Sequence, residues 1–120
     1  MATPKDQSPA AMLGRLAAHD ERFIESQLGM RLDGIGLGGM DPKTCALVRI
    51  GALLAMGATA PAYEWAVRMA RVAGATVEEI VGITIAMAPI VGVARLVSAA
   101  PALGLAINYD VSAALEQTGD

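Results

Sequence analysis

Residues 40–80 read MDPKTCALVRIGALLAMGATAPAYEWAVRMARVAGATVEEI, and the punctuation of this stretch decides the fold. Asp41-Pro42 opens a helix: an acceptor side chain caps, and proline at the first helical position gives up an N–H that would be unbonded anyway. The helix runs from about Pro42 to Met56 and ends at Gly57. After Lys43 its only charge is Arg49, so it is apolar almost all round, which predicts burial on most faces. Thr59-Ala60-Pro61 starts a second helix to about Ala73, and Gly74 offers the left-handed stop. Thr76 and Glu79 then have capping-box spacing, each side chain reaching the other's backbone N–H.

The flanks continue the helical pattern. Ser8-Pro9 is a further helix start. Met12, Leu13, Leu16, Phe23, Ile24 and Leu28 follow at three- and four-residue steps, with a phase shift near Ala18 to Asp20. One bent helix or two short ones fit that shift. Downstream, a helix is expected from Val77 to about Ala88, bent or broken by Pro89 and Gly92. Another follows to about Ala99, then a short piece from Pro101 to near Ile107. Asp110 caps a last turn or two through Leu115. No run alternates as a strand does, so the chain reads as all-α. Residues 1–7 read as a disordered N-terminus and residues 8–120 as a single helical domain.

Composition narrows the function. The chain has 120 residues, 54% of them hydrophobic and 18% charged, with only four aromatic side chains. Small apolar residues let helices approach closely. The charge is too sparse to cover the apolar surface of one chain, so self-association is expected. A net charge of −3 without a Lys/Arg cluster argues against nucleic-acid binding. The longest uncharged run, Ile80 to Ala94, is shorter than the ~20 residues of a spanning helix, so no membrane segment is expected. Cys45 is the only cysteine, which excludes an internal disulfide and CxxC redox chemistry. With no apolar leader visible, a cytoplasmic setting is expected. Gly34-Ile35-Gly36-Leu37-Gly38-Gly39 formally spells G-x-G-x-x-G. A helix precedes it and no acid stands about 20 residues on, so it reads as a loop.

The stretch Leu37-Gly38-Gly39-Met40-Asp41-Pro42-Lys43-Thr44, the helix Leu47 to Leu54, and Ala73-Gly74-Ala75-Thr76-Val77-Glu78-Glu79-Ile80 together resemble the carboxymuconolactone decarboxylase-like family, which includes the AhpD-type alkylhydroperoxidases. The likeness covers about residues 37 to 98. It implies an AhpD-like helical bundle that forms homotrimers or homohexamers. Family enzymes place a histidine eight residues before the glycine that precedes the capping threonine; that position is Ala66 here. The peroxidase branch adds cysteines at positions that here hold Thr59 and Ala62. Thiol peroxidase chemistry of that type is therefore excluded.

What remains is acid/base chemistry or binding of a small organic ligand, carboxylated in the preferred reading, with no cofactor and no metal. A pocket between the 60–73 and 77–98 helices would hold it. Tyr63 and Glu64 are the proton-moving candidates. Arg68 or Arg49 would anchor an anion, with Trp65 as a wall. Each has a structural reading as well: Glu64 and Arg68 as an exposed i, i+4 pair, Trp65, Met69 and Val72 as a packing stripe, His19 as a surface residue or a contributor to a neighbouring subunit, and Cys45 as a small buried apolar group. Glu78 or Glu79 is the expected partner of Arg49. The alternative is a catalytically inactive oligomeric scaffold of the same fold.

Overall fold

The computed structural model describes residues 8–29 and 39–109. The expected disorder at residues 1–7, nearly all of the 34–39 loop and the turn from Asp110 lie outside them. Six helices and no strand occur among the described residues: α1 (Pro9–Ala17), α2 (Glu21–Leu28), α3 (Pro42–Met56), α4 (Ala60–Val72), α5 (Val77–Val91) and α6 (Val93–Ala106). The all-α expectation is met. The chain divides into two compact units, within residues 1–34 and 35–120.

In the first unit the phase shift resolves into two helices. Ser8 Oγ accepts from Ala11 N at 3.2 Å to start α1. His19 ends it in the left-handed region, at φ 57°. Asp20 N–H then bonds back to the Arg15 carbonyl at 2.9 Å, and the Asp20 carboxylate caps α2 by accepting from Phe23 N at 3.2 Å. Phe23 and Ile24 are buried, and the Arg15 guanidinium stands 5.7 Å from the Phe23 ring centroid.

In the second unit α3 is the central element, packed against both α4 and α5, while α6 closes on α4 and α5. Ala46, Ile50 and Leu54 recur every four residues and are essentially inaccessible. Burying each of the two large ones contributes about 1.5–3 kcal/mol. With Tyr63, Ala66, Val67 and Ala70 of α4, Ile80 of α5, and Ala99 and Leu103 of α6 they belong to the buried core. Gly51 lets α5 come close: a methyl group there would stand 3.3 Å from Met87 Sδ and 3.7 Å from Ile83 Cγ2. α3 is nevertheless not covered all round, since Val48 is 55% exposed and Met56 76%. Its neighbours α4, α5 and α6 leave one of its faces open. Val72 is exposed as well, so the expected stripe with Trp65 does not extend to the end of α4.

The prolines behave differently from expectation. α5 runs through Pro89 to Val91, and α6 runs through Pro101 to Ala106 without a new start. Each proline costs one bond, to the carbonyl four residues earlier. Those carbonyls belong to Ile85 and Val97, whose residues are 70% and 66% exposed. Water can therefore take the freed acceptors, and the helices continue. The break comes at Gly92 alone, at φ 86° and ψ 148°, a conformation open in practice only to glycine.

The capping box forms as spaced. Thr76 Oγ1 accepts from Glu79 N, and Glu79 Oε1 accepts from Thr76 N, each at 3.0 Å. Glu79 also pairs with Lys43 Nζ at 3.0 Å, tying the start of α3 to the start of α5. Asp41 has the expected N-cap backbone but no side-chain cap bond. Its carboxyl is held below the ordinary 3.8 first by the Thr44 side chain.

Two measurements check this picture. Gly51→Val would push two methyl groups into Met87 and Ile83, and overpacking of this kind costs about 1–3 kcal/mol; a thermal melt should show the loss. The Glu79 carboxyl is held below its ordinary 4.5, first by the Thr76 N–H and then by Lys43. A depressed carboxyl contributes stability that is fully present above the ordinary value and lost as pH falls through the lowered one. Melts should be flat above about pH 5 and decline below it, and Glu79→Gln should make the decline shallower.

Candidate functional site

The end of α3 builds one wall of a cleft. Gly57 leaves the helix at φ 75°. The Leu53 carbonyl accepts from Gly57 N at 2.9 Å and Ala58 N at 3.2 Å. It also accepts from the Tyr63 hydroxyl at 3.3 Å. That phenol reaches back from the first turn of α4, where Tyr63 N–H bonds the Thr59 carbonyl at 3.2 Å. The opposite wall is one face of α6, formed by Ala94, Arg95, Ser98 and Ala99. The enclosed volume is about 490 Å³, open to solvent on one side, and Gly57, Ala58 and Tyr63 complete the lining.

Arg95 is the charged group of this cleft. A methyl group on Gly57 would come within 3.0 Å of its Nη1, so the guanidinium lies against the backbone at the C-terminal end of α3. That end of a helix carries partial negative charge and favours a cation. Arg95 makes no hydrogen bond or ion pair among the described residues. Ser98 stands one turn further along α6. Among the described residues no carboxylate lines the cleft. The arrangement is a cation and two hydroxyls above small apolar side chains, chemistry that suits an organic anion.

Of the candidates read from the sequence, Tyr63 lines this cleft. Glu64, one residue on and about 100° round the helix, faces outward and is exposed, as is Arg68. Arg49 and Trp65 are brought together instead: the guanidinium stands 5.7 Å from the centre of the buried indole, a cation–π contact. Glu79, one expected partner of Arg49, is held by Lys43 and Thr76. Cys45 is half-buried in the first turn of α3. Ala66 is 1% exposed and packed in the core, not set at the cleft. Among the described residues no three of His, Cys, Asp and Glu converge as a metal site would require, and no helix is long and apolar enough to cross a membrane.

Sequence reasoning missed Arg95 and Ser98. A signal for Arg95 was present. It is the only charged residue between Glu79 and Asp110, and isolation in an apolar helix is the same criterion that singled out Arg49. Ser98 carries no such mark.

The comparisons with known proteins bear on the family. No curated protein and no solved structure matched this chain. The model of the carboxymuconolactone decarboxylase family matches residues 25–104, about two thirds of the chain, and the match takes in every residue of the cleft. The chain belongs to the carboxymuconolactone decarboxylase family.

Proposed function

We propose that this protein binds a small organic carboxylate in the cleft between Tyr63 and Arg95, and that any reaction there is acid/base rather than thiol chemistry. Arg95 carries the reading. It is a permanent cation, seated by Gly57 at a concave site, with neither a carboxylate in the lining nor an ion-pair partner among the described residues. A guanidinium presents paired N–H donors that match a carboxylate, and Ser98 adds a third donor from the next turn. Ala58, Ala94 and Ala99 offer apolar contact to the rest of the ligand. Proton transfer would fall to Tyr63 and would require its hydroxyl to leave the Leu53 carbonyl that it bonds at 3.3 Å. Glu64, Arg68, Arg49 and Trp65 stand outside the cleft and enter this reading only as its surroundings.

A thermal-shift screen of small carboxylic acids tests the proposal. A ligand at 100 times its dissociation constant stabilises by about 2.7 kcal/mol, a readily measured rise in melting temperature. Arg95→Ala should abolish the rise, while Glu64→Ala and Arg68→Ala should leave it unchanged. Binding that survives Arg95→Ala, or a screen without hits, would overturn the assignment.

A second reading, an oligomeric scaffold without catalysis, is favoured by a different observation. Val81 and Ile85 form one exposed i, i+4 pair on α5, at 43% and 70%. Val93 and Val97 form another on α6, at 67% and 66%. With Val48 and Met56 of α3 they leave more apolar surface open than scattered exposure accounts for. Homotrimers or homohexamers would cover it. Sedimentation should give the mass of three or six chains, and Ile85→Glu with Val97→Glu should release monomers. A compact single chain at micromolar concentration would rule out the assembly.

A further inference from the structure

We infer that the cleft selects a 2-hydroxy acid, a ligand with a hydroxyl beside its carboxylate, over the matching simple acid; this rests on the cleft being the ligand site. The argument concerns where the Tyr63 proton goes. Tyr63 is 2% exposed, yet it lines the cleft. Its hydroxyl donates to the Leu53 carbonyl at 3.3 Å. That carbonyl sits at the negative end of α3, which holds the proton in place. A phenol has one proton, so Tyr63 is left with only its oxygen lone pairs to offer a ligand. No described group donates to that oxygen.

The polar side chains of the lining therefore divide by role. Arg95 can only donate, Ser98 can donate or accept, and Tyr63 can only accept. A simple carboxylate meets the donors and leaves the Tyr63 oxygen unfilled. A hydroxyl next to the carboxylate donates to it. An ammonium could donate as well, but it would bring a positive charge beside Arg95 with no carboxylate among the described lining residues to balance it. The hydroxyl is the better fit. The small side chains of Ala58, Ala94 and Ala99 and the volume of about 490 Å³ leave room for a sizeable apolar substituent.

Titration calorimetry on the full chain with matched acids tests this. Mandelate, phenylacetate and phenylglycine differ at one substituent; lactate and propionate form a smaller pair. One neutral hydrogen bond nets about 0.5–1.5 kcal/mol, which converts to roughly a three- to tenfold preference for the hydroxy acid. In Tyr63→Phe the preference should vanish while phenylacetate affinity stays the same. That variant should fold, because the Leu53 carbonyl keeps the Gly57 and Ala58 N–H groups; its melting curve checks this. Phenylglycine should bind more weakly than mandelate. Equal binding of hydroxy and simple acids, a preference that persists in Tyr63→Phe, or phenylglycine matching mandelate would overturn the inference and leave carboxylate binding intact. If no acid of either set binds at millimolar concentration, the proposed function itself fails and this inference with it.

Discussion

The close approach of α5 to α3 at Gly51 is the constraint on which the second unit depends. Met87 and Ile83 occupy the space that any side chain at residue 51 would need. With α5 held there, Ile50 and Leu54 lose all contact with water. α4 then covers the neighbouring face of α3, and α6 closes against both α4 and α5. A chain with four aromatic residues cannot fill a core with large rings. It fills the core by bringing small-residue helices together, and dispersion at short range does the work.

The cleft follows from how α3 stops. A left-handed glycine turns the chain, and the terminal carbonyl of Leu53 gathers three donors, two from the backbone and one from Tyr63. The same glycine clears room for the Arg95 guanidinium. One helix end thus orients the phenol, seats the cation and leaves a concavity between them. The family histidine position has no part in this. Ala66, the position that the resemblance assigns to that histidine, faces the core from α4 and lies outside the cleft lining.

Much of the helix punctuation was legible because it is local. Ser8, Thr76 with Glu79, Gly57 and Gly92 act within four residues of themselves, and hydrogen-bond geometry at that range depends little on the rest of the chain. Pro89 and Pro101 were misleading for a tertiary reason. Whether a proline breaks a helix turns on what can take the freed carbonyl, and here both carbonyls belong to exposed residues. Val72 illustrates the same limit. Periodicity places it on a stripe, but a stripe is buried only where another element lies over it.

The sequence by itself determined that this chain is helical, where most helices begin and end, and which family it resembles, since caps, glycine stops and periodicity are short-range chemistry written in residue order. Only the tertiary structure decided which side chains share a site. Tyr63 and Arg95 lie 32 positions apart and meet because α6 packs on α4 beside the end of α3. Glu64, adjacent to Tyr63, is turned away by the helix's own rotation. Proximity in space between distant residues depends on how helices cross, and that is set by the packing of small side chains over the whole core.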